Sequence, residues 1–154
     1  MLLLLGKGEL EEEIRKRAIE KGISSRILFL GNREDVNRYY QAMDYFLLPS
    51  FYEGLPGTAV EAQAAGLSGL LSDQIAKEVM ITDLMEQKSI QISAKDWAEK
   101  ILLEWEEATP EDIEKLTNLR SRYGNWVREA GFDVIDQAKR LEAFYQEPIS
   151  WREE

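Results

Sequence analysis

Short apolar runs alternate with helical patterns through the first half of the chain. Each run is about four residues long, and most end at a glycine or a proline. Continuous apolar runs of this length are typical of strands that are buried on both faces. The predicted strands are Leu2–Leu5, Ile27–Leu30, Tyr45–Leu48 and two weaker runs, Gly69–Leu71 and Ile90–Ile92.

The segments between these runs carry apolar residues at helical spacing. Leu10, Ile14 and Ala18 form one apolar stripe within Glu9–Lys21, and Val36–Met43 carries a second. A third helix, rich in small residues, is predicted from about Thr58 to Ala65. Strands that alternate with helices through short connections predict right-handed βαβ units and a parallel sheet.

After Ser93 the pattern indicates helices only. Ser93 with Asp96 resembles a capping box, and Thr109 followed by Pro110 is a typical helix start. Gly131 is expected to break the helix that follows. We therefore predict an α/β core over residues 1–92, with an all-helical C-terminal segment, residues 93–154, packed on the same domain.

Composition narrows the chemistry that is available. The chain has 154 residues, no cysteine, no histidine and a formal net charge of −10. These values argue against nucleic-acid binding, against thiol or Ser-His-Asp catalysis and against a His or Cys metal site. No apolar run approaches the length of a membrane span. We expect a cytoplasmic protein with at most peripheral membrane contact.

Two glycine-containing loops follow predicted strands and are weak signals. Gly6 and Gly8 flank Lys7 after the first strand, and Gly31 precedes Arg33 after the second. In open α/β sheets, ligands bind at the carboxyl ends of the strands, so these loops are candidates for ligand contact. Ordinary turns and a surface arginine explain them equally well.

The third loop is more specific. Glu53 lies in it, Glu61 lies in the helix that follows, and the segment Gly54-Leu55-Pro56-Gly57 stands between them. Amides at a helix N-terminus attract anions, and carboxylates accept hydrogen bonds from hydroxyls such as a ribose diol. Two carboxylates around an amide cradle suit a sugar–diphosphate–nucleoside. The alternative is an ordinary helix whose glutamates face water.

The stretch Leu3–Glu78 resembles the C-terminal half of a family 4 retaining glycosyltransferase of the GT-B fold. The spacing of Glu53 and Glu61 matches the paired-glutamate signature of that family, and the local style is similar to bacterial exopolysaccharide and capsule enzymes. Further matching segments are Gly6-Lys7-Gly8-Glu9-Leu10, Phe29-Leu30-Gly31, Gln41-Ala42-Met43-Asp44, Leu48-Pro49-Ser50, Glu61-Ala62-Gln63-Ala64-Ala65-Gly66 and Ser72-Asp73.

The resemblance implies a Rossmann-like parallel sheet and a nucleotide-sugar donor, such as a UDP-sugar, with no cofactor and no metal. It implies that Glu53 contacts the donor sugar as the catalytic carboxylate and that Glu61 holds the ribose. Retention would use the leaving phosphate to act on the acceptor hydroxyl. The other implied donor-site residues are Gly54, Leu55, Pro56 and Gly57 at the sugar and diphosphate, Gly31 and Arg33 beside the base, and Gly6 and Gly8 on the cleft floor.

The same resemblance implies that the chain is N-terminally truncated. It begins at what would be the second strand of that half, without the Gly-Arg turn and the lysine that grip the diphosphate. We therefore expect a donor-binding half of a hexosyltransferase-type enzyme that is inactive alone. Its expected partners are a missing N-terminal acceptor domain or a second copy, which would pair with an exposed strand edge. The alternatives are a non-catalytic nucleotide-binding or protein-interaction module and, less favoured, a sugar-nucleotide epimerase.

Overall fold

Two parallel sheets carry the strands of this protein, whose computed structural model describes residues 1–146. Strands β1 (Leu2–Leu5) and β2 (Ile27–Gly31) form the first sheet. The second sheet contains β3 (Tyr45–Leu48), β4 (Ser68–Ser72) and β5 (Met85–Lys88), in that order. The chain divides into two compact units, Met1–Arg38 and a second unit that begins at Tyr39.

The first unit is a single βαβ arrangement. Helix α1 (Glu11–Glu20) connects β1 to β2, and a short 3₁₀ turn precedes β2. Three glutamates occupy the first turn of α1, where their negative charges interact favourably with the positive end of the helix dipole and stabilise the helix. The guanidinium of Arg15 in α1 lies 3.9 Å from the ring centroid of Phe29 in β2, which is a cation–π contact between the two elements.

The second unit is built around β4. This strand pairs with β3 on one side and β5 on the other, in parallel register, and Leu70 and Leu71 are completely buried. Helix α2 (Val36–Ala42) leads into β3, and α3 (Gly57–Ala64) connects β3 to β4. Both faces of a central parallel strand are covered, which explains its apolar sequence.

Three helices complete the second unit: α4 (Ala94–Glu107), α5 (Pro110–Val127) and α6 (Val134–Gln146). The hydroxyl of Tyr45 donates a hydrogen bond to Glu104, which joins β3 to α4. Arg120 of α5 donates hydrogen bonds to the carbonyls of Ala65, Tyr40 and Met43 and so satisfies carbonyls where α2 and α3 end.

The α/β fold with parallel strands and flanking helices confirms the fold class predicted from the sequence. Both predicted helix starts are also present: Ser93 with Asp96 and Thr109 with Asp112 form reciprocal capping boxes. Gly131 adopts a φ of 93° and ends the helical run before α6. The division into a core over residues 1–92 and a helical segment over 93–154 stays a prediction.

The predicted fifth strand at Ile90–Ile92 is wrong. The strand that pairs with β4 on that side is Met85–Lys88. Within residues 1–146 it has a strand neighbour on one side only, and its mostly polar sequence fits such an edge position. Ile90 and Ile92 follow it in the loop before α4, where Ile92 is partly exposed. An apolar run therefore predicted a strand where the chain places a connection.

Candidate functional site

The loop between β3 and α3 ends at a helix whose N-terminus has no side-chain cap. Pro56 occupies the cap position, and only its carbonyl is engaged, accepting hydrogen bonds from Ala59 and Val60. Helices α4 and α5 of the same chain each begin with a capping box. The first amides of α3 therefore depend on water or a ligand for hydrogen-bond partners.

The two glycines beside this helix end border open space. A Cβ atom built on Gly54 or Gly57 meets no atom within 4 Å, and neither residue adopts a positive φ. Neither packing nor backbone conformation therefore requires glycine at these positions. Glycine in a helix costs stability relative to alanine, so its presence at Gly57, the first residue of α3, favours a role in letting a ligand approach the backbone.

Glu53 is half-buried and held at both backbone and side chain. The hydroxyl of Ser50 donates a hydrogen bond of 3.0 Å to one of its carboxylate oxygens. Its backbone forms an isolated parallel bridge with Ile75, in the connection between β4 and β5. One side of the carboxylate is thus oriented by the protein, while its other oxygen can accept hydrogen bonds from a ligand.

Glu61 is exposed on the surface of α3, eight residues after Glu53. The hydroxyl of Tyr40, a buried residue of α2, faces this carboxylate. Burial raises the pKa of Tyr40 well above its usual value, and the Glu61 carboxylate raises it further. The phenol therefore stays protonated and able to donate a hydrogen bond to Glu61, whose side chain is exposed to solvent.

In the first unit, the predicted glycines lie at the carboxyl ends of β1 and β2. The amide of Gly6 donates a 2.8 Å hydrogen bond to the carbonyl of Gly31, and both residues have positive φ values, 109° and 63°. These conformations favour glycine and explain the two turns without a ligand. Gly8 and Arg33 are exposed in the segments that follow the two strands.

The predicted site residues thus fall into two sets. One set surrounds the N-terminus of α3 in the second unit: Glu53, Gly54, Leu55, Pro56, Gly57 and Glu61. The other lies at the strand ends of the first unit: Gly6, Gly8, Gly31 and Arg33. Sequence reasoning missed the support that Ser50 and Tyr40 give to the two glutamates, because a hydroxyl beside a loop and an aromatic in an apolar stripe are both common.

No group of three Asp or Glu side chains within residues 1–146 is placed to hold a metal ion. None of the helices in that range is long and apolar enough to cross a bilayer.

The chain is similar in sequence to bacterial proteins of polysaccharide and lipopolysaccharide biosynthesis. The chain is 48% identical over 65 residues to the Vi polysaccharide biosynthesis protein VipC/TviE of Salmonella typhi, covering 42% of this chain and 11% of that protein. It is 28% identical over 136 residues to the lipopolysaccharide core biosynthesis mannosyltransferase LpsB of Rhizobium meliloti (strain 1021), covering 88% of this chain and 38% of that one. The chain therefore spans only part of the length of either relative.

Solved structures agree on the fold. The crystal structure of Anabaena HepE in complex with UDP matches with a TM-score of 0.69 at 18% identity, covering 93% of this chain and 40% of that one. Glycosyltransferases of the GT-B fold are structural neighbours of the chain. The profile of the family described as "Glycosyl transferases group 1" matches residues 1–104, about two-thirds of the sequence. The chain belongs to the glycosyl transferases group 1 family.

Proposed function

We propose that this chain binds a nucleotide-sugar donor and contributes to the transfer of its sugar, with retention of configuration, to a saccharide or lipid-linked acceptor. Family membership supports the reaction class, and the relatives' names point to polysaccharide and lipopolysaccharide biosynthesis. The observation that carries the proposal is the arrangement of Glu53 and Glu61 on either side of the uncapped N-terminus of α3.

Each part of that arrangement suits one part of the donor. The free amides and the dipole of α3 attract the diphosphate and the polar edge of the sugar. The carboxylate of Glu53, oriented by Ser50, accepts hydrogen bonds from sugar hydroxyls. The exposed carboxylate of Glu61 accepts a bidentate pair from the ribose diol, with Tyr40 behind it.

The family resemblance assigns Gly31 and Arg33 to the base and Gly6 and Gly8 to the cleft floor. These roles of first-unit residues stay predictions. The bound UDP in HepE supports a uridine nucleotide as the first ligand to test. No step in this assignment requires a cofactor besides the donor.

Donor binding and transfer are separate expectations. The chain spans 38% of the length of the mannosyltransferase relative. Transfer requires an acceptor held in line with the donor, which is a large part of the rate enhancement of any group transfer. We therefore expect the isolated 154-residue chain to bind the donor and to show at most slow donor hydrolysis. Robust transfer to an added acceptor would contradict this part of the proposal.

Calorimetric titration with UDP, GDP and ADP and with their hexose conjugates tests donor binding. Glu61→Ala is expected to weaken binding of both the nucleoside diphosphate and the nucleotide sugar, by about 1.5–3 kcal/mol for a charged hydrogen bond. Glu53→Ala is expected to weaken binding of the nucleotide sugar alone. Glu114→Ala, which alters an exposed glutamate of α5, is the matched control. Equal effects of the first two changes on both ligands, or no binding by the unaltered chain, would refute the assignments.

The glycine beside the helix end offers a second test. Gly57→Ala should stabilise the fold, by at most about 0.5–1 kcal/mol, because alanine is the better helix former. It should also weaken nucleotide-sugar binding, because the added methyl group enters space that is otherwise open to the ligand. A variant that is more stable and binds unchanged would show that the open space has no role in binding.

A further inference from the structure

The residue that pairs with the backbone of Glu53 is itself held by a glutamine. Ile75 is buried, and its amide donates a 3.1 Å hydrogen bond to the carbonyl of Ser72. Its carbonyl accepts a 2.7 Å hydrogen bond from Nε2 of Gln87, a half-buried residue of the edge strand β5. The same Nε2 lies 3.4 Å from the carbonyl of Ser72. One side chain of β5 therefore holds both ends of the turn that positions Ile75.

A second glutamine holds the remainder of the same connection. Gln63 of α3 is completely buried. Its Nε2 donates to the carbonyls of Ala59 and Val79, at 3.1 and 2.8 Å. Its Oε1 accepts hydrogen bonds from the amides of Ile81 and Thr82 and from the Thr82 hydroxyl. The side-chain amide of Gln63 is buried, and all of its donors and acceptors form hydrogen bonds. Breaking any of these hydrogen bonds would leave an unsatisfied buried polar group, so the amide holds the segments that it contacts in fixed positions.

Gln63 lies on α3, the same helix that carries Glu61 of the candidate site. Residues two apart on a helix lie about 200° apart around its axis, so Glu61 and Gln63 project on nearly opposite sides. This matches their burial, since Glu61 is exposed and Gln63 is buried. Helix α3 therefore carries one exposed carboxylate and, on its inner side, the amide that anchors the connection between β4 and β5.

We propose that Gln87 and Gln63 are positioning residues for Glu53. Together they hold the connection between β4 and β5, whose Ile75 pairs with the Glu53 backbone, and so they set where the Glu53 carboxylate lies. The proposal rests on the proposed function and deepens it: the two amides govern selectivity for a nucleotide sugar over the bare nucleoside diphosphate, although neither contacts the ligand.

Replacement of Gln87 by leucine removes the amide while keeping a similar volume. Gln87→Leu is expected to raise the Kd for the nucleotide sugar about fivefold or more, since small displacements of a positioned group have large effects. The Kd for the nucleoside diphosphate should change less than twofold. Combined with Glu53→Ala, it should add nothing to the loss caused by Glu53→Ala alone, because both changes remove the same contact.

Gln74→Leu is the matched control. Gln74 lies in the same connection, but its side chain is exposed and, among the described residues, its Nε2 donates only to the neighbouring Asp73. It should leave both Kd values unchanged. Gln63→Met removes the hydrogen bonds of the second glutamine, which lies farther from Glu53. It should raise the Kd for the nucleotide sugar, as Gln87→Leu does. Equal weakening of both ligands by Gln87→Leu, or no weakening of either, would overturn the proposal.

Amide hydrogen exchange of the ligand-free chain separates this proposal from the proposed function. Gln87→Leu should speed exchange of peptides covering residues 50–57, and Gln74→Leu should not. If the unaltered chain binds no nucleotide, the donor assignment fails, and the exchange result alone decides whether Gln87 positions the Glu53 loop. Equal exchange in the two variants would overturn the positioning role. Should Gln87→Leu fail to fold, Gln87→Asn shortens the side chain and serves in both measurements.

Discussion

The two compact units of this protein both contain short apolar strands, but these strands are buried to different degrees. In residues 1–38, Ala18 is the only fully buried apolar side chain, and the leucines of β1 range from half-buried to exposed. In the second unit, Leu70 and Leu71 of β4 are completely inaccessible. None of the four consecutive leucines of β1 is thus buried as completely as the two leucines of β4.

The two strands are buried to different degrees because they have different numbers of adjacent strands and helices. Strand β4 has a strand on each side and the small residues Ala59 and Ala62 of α3 in the surrounding core, whereas β1 pairs, within the described chain, with β2 alone. A two-stranded sheet leaves one edge of each strand unpaired, and such sheets are marginal by themselves. Apolar composition therefore predicts a strand, but its contribution to stability depends on what surrounds it.

The largest contrast should come from truncating leucines in the two units. Leu71→Ala is expected to lower the free energy of unfolding by about 2–5 kcal/mol, because it opens a cavity in a fully packed region. Leu28→Ala, at a position that is 44% exposed in β2, should cost much less. Urea denaturation of both variants measures the difference. Equal losses would show that the first unit is as tightly packed as the second.

Arg120 should show how strongly the second unit depends on polar contacts. Arg120→Met keeps much of the side-chain volume but leaves the carbonyls of Ala65, Tyr40 and Met43 without their donor. Each unsatisfied buried group costs about 1–3 kcal/mol, moderated by water that reaches the site. Thermal unfolding measures the loss. Arg122→Met, at an exposed position on the same helix, is the control and should be nearly neutral.

The weaker packing of the first unit should be visible without mutation. Amides of β1 are expected to exchange faster than those of β4, because strands with few buried contacts open locally at low cost.

The unpaired edge of β1 also predicts self-association at micromolar concentration, measurable by light scattering. Leu2→Lys should reduce it, since a charge on an edge strand opposes pairing. A protein that is monomeric throughout, with slowly exchanging β1 amides, would contradict both expectations.

The smallest expected effect concerns pH and the capped helices of the second unit. Hydrogen bonds from Ser93 and Thr109 hold the pKa of Asp96 and of Asp112 below the ordinary value of 3.8. A lowered pKa in the folded state contributes stability that is present above 3.8 and is lost as the pH falls through the lowered pKa. Asp96→Asn with Asp112→Asn should flatten the acid limb of the stability profile. An unchanged slope in acid denaturation would show that the caps contribute nothing there.

Short-range patterns in the sequence were sufficient to predict most helices and strands. Ser93 and Thr109 marked two helix starts, because a capping box involves residues only three apart. The spacing of Glu53 and Glu61 indicated a paired-carboxylate site, because both residues belong to one loop and the helix that follows it. These interactions span a few positions of the chain, so the amino-acid order alone determines them.

Tertiary structure decided what depends on distant partners. The edge strand Met85–Lys88 carries few apolar residues, so only its pairing with β4 identifies it as a strand. The support of Glu53 by Ile75 and Gln87 joins positions 22 to 34 residues apart in the chain. Hydrogen bonds of this kind form only after the sheet has brought the segments together, and no local pattern records them. The residues of the candidate site were therefore visible in the sequence, whereas the contacts that orient them were not.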